Sequence, residues 1–362
     1  MVNVDLLTKS NVKEFNIHAI LKLAADRHAS DIHIKAGSQP IFRIHGKLKL
    51  EKELPVCTAE DTQQFLEEIT TPDQRNYFFH EQELDFAYSA EGISRFRVNA
   101  YYQTGTVSLA LRLVRTVVPT LEELNLPEIC KNLVMKKDGL VILTGPTGCG
   151  KSSTMAAMLN YLNSRQERNV ITIEDPIEYL FRDDKCTFSQ REVNVDTRSF
   201  ASGLKHILRQ DPDVILVGEM RDLETLSITL TAAETGHLVL TTLHTPSTSQ
   251  AIDRFVDSFP SSQHPQVRLQ LSTVLQAIIY QNLIPVAKGE GVVPAVEVLI
   301  ATPAVQNLIR DGKTYQIASY IHTGQSQGMQ TLDQSLIDLC HRGLISQQET
   351  INYAQNLDSV KK

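Results

Sequence analysis

The sequence has no apolar run approaching the roughly 18 residues that a bilayer-spanning helix needs. Its most hydrophobic long stretch, Val292 to Val305, is broken by Pro294, Glu297 and Pro303. An apolar signal core is also missing, because Asp5 and Lys9 stand close to the start, so export is not expected. Cysteine is sparse: 5 residues, at positions 57, 130, 149, 186 and 340, with no C-x-x-C pair. That odd, scattered set argues against a disulfide framework and against a zinc knuckle. Basic charge is lacking too. With 42 acidic side chains against 35 basic ones, the formal net charge is -7, which disfavours a nucleic-acid binder held by a basic field. Internal repeats and low-complexity segments are not found. What remains is an ordinary globular composition, 42% apolar and 21% charged, in 362 residues. That length suggests two or three domains with buried cores and, with no leader or span, a cytoplasmic location.

The first third reads as mixed α+β. Ile17, Ile20, Leu21 and Ala24 recur at helical spacing within Phe15 to Ala29. Two short strands follow, Asp31 to Lys35 and Pro40 to His45, around the turn Gly37 to Pro40. Thr58 begins a helix, with Asp61 completing a variant capping box. Leu84 to Tyr88, Ser94 to Tyr102 and Val107 to Val114 form a meander, turning at Glu91-Gly92 and Thr104-Gly105. Pro119, Pro127 and the run Lys136-Lys-Asp-Gly139 mark a boundary, so residues 1–116 are one expected domain and 117–138 a linker.

From residue 139 onward the pattern changes. Apolar strands at 139–143, 170–173, 214–217 and 238–243 alternate with helical stretches at 151–163, 198–209 and 223–235. Such alternation implies an α/β domain with a parallel sheet covered on both faces. Asp196 and Thr197 are the expected caps of the second helix. Residues from about 250 to 362 read as a mostly helical extension, apart from the apolar run 292–300.

The strongest motif is Gly145-Pro146-Thr147-Gly148-Cys149-Gly150-Lys151-Ser152, with Ser153 following, a complete G-x-x-x-x-G-K-S. It stands between the strand Leu140 to Leu143 and a helix, the context a phosphate-binding loop requires. Glycines let backbone N–H groups turn inward around a phosphate, and the helix N-terminus adds partial positive charge. Lys151 would reach the β- and γ-phosphates, and the Ser152 hydroxyl would ligate Mg²⁺. Cys149 has two readings. It is a small residue turned away from the phosphates, or a redox-sensitive thiol activated by the helix N-terminus.

A nucleoside triphosphatase also needs an acid behind the metal and a group to orient water. The buried strand Asp213 to Val217 ends in Gly218-Glu219, where the usual second motif ends in aspartate. Glu219 there would hold a Mg²⁺-bound water at the carboxyl end of the sheet. Glu174-Asp175-Pro-Ile-Glu178 crowds three carboxylates at the end of the preceding strand, which suits a cation or a solvated acidic loop. The strand Leu238 to Leu243 is bracketed by His237 and His244, candidates for contacting the γ-phosphate. His18, His28, His33 and His45 show no metal-ligand spacing. Arg97 and Arg112, read alone, are solvated edge-strand charges.

Taken together, the phosphate loop, Glu174 to Glu178, Gly218-Glu-Met-Arg-Asp222, Ala233-Glu-Thr-Gly-His237 and Thr242-Leu-His-Thr245 resemble the four nucleotide motifs of secretion ATPases. Ala29-Ser-Asp-Ile-His-Ile34 is similar to that family's N-terminal signature, and the resemblance runs from about residue 16 to 345. It implies a RecA-like P-loop ATPase domain preceded by a smaller α+β PAS-like domain, assembled as a homohexameric ring using ATP and Mg²⁺. By family role Glu178 is the water-activating base, supported by Glu174 and Asp175, and Glu219 the acid near Mg²⁺. His237 and His244 match the histidine-box positions, and Arg97 and Arg112 resemble arginines that reach the γ-phosphate. Within the family the chain is most similar to the pilus-retraction branch, lacking the longer N-terminus and paired cysteines of the assembly and secretion branches. That resemblance implies pilus retraction and twitching motility, at the cytoplasmic face of the inner membrane, with a pilus platform protein as partner. Ala304-Val-Gln-Asn-Leu-Ile-Arg310-Asp carries Gln306 where the retraction branch has arginine, so an accessory retraction ATPase is the alternative within the family. From other classes, the alternatives are a soluble P-loop phosphotransferase and a nucleotide-gated scaffold.

Overall fold

A computed structural model describes residues 15–357 except His45, Arg221 and Glu290. Two units are present, one ending at Thr116 and the other beginning at Val117.

The first unit runs α1 (Ile17–Asp26), β1 (Asp31–Lys35), β2 (Ile41–Ile44), β3 (Lys47–Leu50), α2 (Ala59–Ile69), α3 (Pro72–Glu81), β4 (Glu83–Ala90), β5 (Ser94–Gln103) and β6 (Thr106–Leu113). The strands make one sheet in the order β3-β2-β1-β6-β5-β4, every neighbouring pair antiparallel. Helix α1 buries Ile17, Ile20, Leu21 and Ala24, the stripe its periodicity requires. In α2 both halves of the Thr58/Asp61 capping box are formed. Along β1, Ile32 and Ile34 turn inward, so Asp31 and His33 lie on the opposite face. The expected strand to His45 ends at Ile44, and His45 itself lies outside the described residues, as do Asp5 and Lys9. Two elements escape the sequence reading. Strand β3 is an edge whose four side chains are all exposed, and α3 buries only Phe78. The signal for α3 is its Thr71/Gln74 capping box around Pro72.

The second unit begins with α4 (Ile129–Val134), β7 (Gly139–Thr144), α5 (Lys151–Asn163), β8 (Asn169–Glu174), β9 (Thr187–Glu192), α6 (Phe200–Ile207) and β10 (Val214–Val217). It continues with α7 (Leu223–Glu234), β11 (Leu238–Leu243), α8 (Thr248–Asp257), α9 (His264–Val274), β12 (Leu275–Pro285) and β13 (Val292–Ile300). Helices α10 (Pro303–Arg310), α11 (Ile317–Thr323), α12 (Leu332–His341) and α13 (Gln347–Tyr353) complete it. The strands form one sheet in the order β13-β12-β7-β11-β10-β8-β9, parallel except for β13. All six residues of β7 are buried, as are all six of β11. Leu140 and Ile142 join one core with Leu204, Leu230 and Phe255, while Val141 and Leu143 join another with Leu133, Met155 and Met158. Burial on both faces is why these strands read as continuous apolar runs.

Three expectations change. Residues 117–138, expected as a linker, pack into the second unit, with Leu121, Cys130, Leu133 and Val134 buried. The extension from about 250 contributes β12 as well as β13 to the sheet. Strand β12 reads as helix in the sequence because Ala277 to Gln281 are all buried, and without alternation a buried strand cannot be told from a buried helix. The cap of α6 is Ser199, whose side chain accepts from Ser202 N; Asp196 instead accepts from Glu192 N. Among the described residues, no helix is long and apolar enough to cross a membrane.

Candidate active site

The chemistry-bearing residues gather at the carboxyl ends of the parallel strands. β7 delivers the chain into the loop 145–150, and α5 leaves it at Lys151. Gly145 and Gly150 have φ of +143° and +89°. A Cβ on Gly145 would also lie 2.3 Å from Gln281 O, so both conformation and space demand glycine there. Helices α6, α7 and α8 begin with capping side chains from Ser199, Asp222 and Ser247, but α5 begins on Gly150 without one. No capping side chain therefore stands in the way of an anion at this helix start, which the helix dipole also favours. Lys151 is only 8% exposed, and its Nζ donates to Gly145 O at 2.8 Å and Pro146 O at 3.0 Å. Pro146, Thr147, Gly148 and Ser152 are exposed along the loop's outer side.

Cys149 does not show the environment of a reactive thiol. It is 3% exposed, and burial pushes its thiol up despite the opposing pull of Lys151. Its burial and the raised thiol both favour the packing reading over the redox one.

The acids stand on the neighbouring strand tips. Gly218 N donates to Ile173 O at 2.8 Å, bringing the end of β10 against Glu174 at the end of β8. Glu174 is buried; burial raises its carboxyl to about 7, against hydrogen bonds from Thr172 Oγ1 at 2.7 Å and Gln190 Nε2 at 3.3 Å. Glu178 and Asp175 are exposed. Tyr179 ties this acidic segment to the phosphate loop's helix, its hydroxyl 2.8 Å from Ser153 Oγ. Glu219 is a quarter exposed, and its Oε1 lies 3.2 Å from His244 Nε2, just beyond the end of β11. Thr242 Oγ1 donates to Gly218 O at 2.6 Å, and Thr144 and Thr245 are joined through their hydroxyls at 2.8 Å. Loop, acids and His244 are thus stitched to one another.

His237 is not brought there. β11 runs parallel to β7 with Leu238 opposite Gly139 and Leu243 opposite Thr144, so His237 sits at the amino end. Six strand residues separate it from His244, roughly 20 Å at the usual rise. Its Nδ1 donates to Ala232 O at 2.9 Å, fixing the turn into the strand. The sequence bracketed β11 symmetrically, but strand direction puts only one histidine at the site.

Residues 7–350 match the family described as "Type II/IV secretion system protein". The chain belongs to that family. It is 46% identical over 333 residues to the "Type IV pilus retractation ATPase PilT" of Pseudomonas aeruginosa, covering 92% of this chain and 96% of that protein. It is 41% identical over 342 residues to the "Type IV pilus ATPase PilU" of the same organism, covering 94% and 89%. Among solved structures, that of the pilus retraction motor PilT with bound ADP superposes with a TM-score of 0.88 at 43% identity. The match covers 96% of this chain and 99% of that one. The α/β unit with its parallel sheet is therefore a secretion-ATPase fold.

The arginines that this family suggested lie in the first unit. Arg97 on β5 and Arg112 on β6 are directly paired in register, both exposed. They are not edge-strand charges, because β5 and β6 are interior strands; they share the open face of the sheet. Arg112 Nε donates to Asp31 Oδ1 at 2.8 Å. Burial would raise the Asp31 carboxyl, but the Ser30 hydroxyl and the guanidiniums of Arg112 and Arg43 outweigh it and hold it low.

Several residues at the site were given no role by the sequence reading. Gln190 on β9 donates to Tyr179 O at 2.8 Å and accepts from Phe181 N at 2.9 Å, shaping the loop that carries Glu178. Asp222, the last residue of a family motif, caps α7 by accepting from Thr225 N at 2.8 Å; Arg221 beside it lies outside the described residues. Gln281 and Glu297 reach the site from β12 and β13, strands more than a hundred residues downstream of the phosphate loop.

Proposed function

We propose that this chain is an ATP-hydrolysing motor that powers type IV pilus retraction. The reading is carried by one arrangement: an uncapped glycine-loop helix, Lys151, the Glu219–His244 pair and the exposed Glu178 share one edge of a parallel sheet. The 46% identity to a pilus retraction ATPase supplies the task to which the hydrolysis is coupled.

The phosphates of ATP take the first-turn N–H groups of α5 and the loop 145–150, and Lys151 turns from its two carbonyls to the γ-phosphate side. Glu178 serves as general base for the attacking water. It is exposed, whereas Glu174 is buried, hydrogen-bonded and held near neutrality, which suits a supporting role. His244 orients Glu219 and responds to the γ-phosphate. The donor set fits Mg²⁺: an exposed Ser152 hydroxyl begins the helix and the partly open carboxylate of Glu219 ends a strand, oxygen donors of the kind this hard cation takes. Ser152 and Glu219 would hold the ion, which would supply countercharge to the phosphates.

In this reading the chain acts as a homohexameric ring at the cytoplasmic face of the inner membrane, working on a pilus platform protein. Arg97 and Arg112 assist at the γ-phosphate within the ring. One observation favours a second reading, an accessory retraction ATPase. Gln306 lies half-buried on α10 between the inward Val305 and the exposed Asn307, where the retraction branch carries arginine. The deciding experiment deletes the gene in its pilus-bearing host and counts surface pili and twitching. Excess pili with lost twitching support the main motor, and pili that retract but fail under load support the accessory one. Bald cells would overturn both. A small-molecule phosphotransferase is separated by ATP turnover in the absence of any acceptor.

A further inference from the structure

The shape of the phosphate loop is held from outside it, by a side chain on the neighbouring strand. Gln281 lies on β12, next to β7, and is 2% exposed. Both ends of its amide are engaged: Nε2 donates to Cys149 O at 2.6 Å, and Oε1 accepts from Thr154 Oγ1 at 2.8 Å. One planar group therefore spans from the end of the loop to the first turn of α5. The same residue limits the loop by contact, its main-chain oxygen 2.3 Å from where a Cβ on Gly145 would lie and its Nε2 2.9 Å from one on Gly150.

Only an amide satisfies both partners. A carboxylate would set an oxygen against the Cys149 carbonyl, and an aliphatic side chain would strand both that carbonyl and the Thr154 hydroxyl in a dry interior. A loop rich in glycine is entropically costly to order, so whatever orders it beforehand contributes to ligand affinity. We propose that Gln281 is a positioning residue for the nucleotide, bracing the phosphate loop so that its N–H groups converge before the ligand arrives. This inference rests on the phosphate-site reading above and deepens it.

The test uses the full chain and ADP, titrated by calorimetry, alongside ATPase kinetics. Gln281→Glu keeps the acceptor toward Thr154 and removes the donor to Cys149. It should raise the ADP dissociation constant and the KM for ATP about tenfold, the size expected for one unsatisfied buried acceptor, with kcat changed much less. Thr154→Val removes the other arm and should weaken ADP several-fold, while Thr154→Ser restores it to within twofold. Should Gln281→Glu fail to fold, the Thr154 pair decides. ADP affinity within twofold of the parent in Gln281→Glu or in Thr154→Val overturns the brace, as does a loss confined to kcat. Failure of the unsubstituted chain to bind ADP would instead defeat the phosphate-site reading itself.

Discussion

The two ends of the parallel sheet are built from the same strands and behave differently. At the amino ends, polar groups are tied up among themselves. Gly139 N donates to His237 O, Leu238 N to Asp213 O, and Asp213 N to Asn169 O. The Asn169 amide in turn donates to Gln210 O and Asp211 O. At the carboxyl ends, an uncapped helix start, exposed Ser152 and Glu178 and a partly open Glu219–His244 pair face outward. Parallel strands place the N-termini of their following helices and every strand-to-helix loop at one edge, so unsatisfied donors and acids accumulate there and not at the other. Ligand chemistry belongs to the edge with hydrogen-bonding capacity to spare.

That contrast can be broken most severely at the phosphate loop. Lys151→Ala should lower ATP turnover at least a hundredfold, since a developing charge loses its fixed countercharge; turnover within twofold would remove the carboxyl-end assignment. Glu178→Gln should slow hydrolysis about a hundredfold while ATP still binds, the scale of a general base. Collapse of binding in that variant would make the carboxylate structural.

The two histidines give the sharpest comparison. His244→Ala should cut kcat about tenfold by releasing Glu219, whereas His237→Ala, at the far end of the same strand, should stay within twofold of the parent. Equal losses would mean that sheet polarity does not divide function as described.

The smallest effect concerns stability. Glu174 has its carboxyl raised from 4.5 to about 7 by burial, so the folded chain binds its proton more tightly than the unfolded chain does. Its contribution is most favourable at low pH and is lost as pH rises from 4.5 to about 7. Glu174→Gln mimics the protonated form and should melt roughly 5 °C above the parent at pH 8, with the gap shrinking toward pH 5. A gap that is constant with pH would assign the effect to packing.

Legibility in the sequence followed the range of the interaction concerned. The α1 stripe, the α2 capping box, the β4–β5–β6 meander and the phosphate loop are each decided within a few residues, and each was readable. Strand β12 was not, because burial on both faces erases the alternation that marks a strand. Nor was β3, whose four side chains are exposed at an edge. Among the site residues, Glu178, Glu219 and the loop lie in local patterns. Gln190, Gln281 and Glu297 are single polar residues inside strands, and only the neighbouring strand or helix gives each a role. Glu297 illustrates this: it is 7% exposed, and its carboxylate accepts from Thr248 N at 2.9 Å, holding the start of α8 a few residues after His244.

By itself the sequence determined that a glycine-rich loop of the phosphate-binding pattern stands at residues 145–152 and that acids follow on two strand tips, because glycine spacing and charge after an apolar strand are local properties. The tertiary structure alone decided which histidine stands at that edge, which acid is open to water, and that an amide 130 residues after Lys151, at Gln281, braces the loop. Those choices depend on strand direction, burial and packing between segments remote in the chain, and none of these leaves a mark in local spacing.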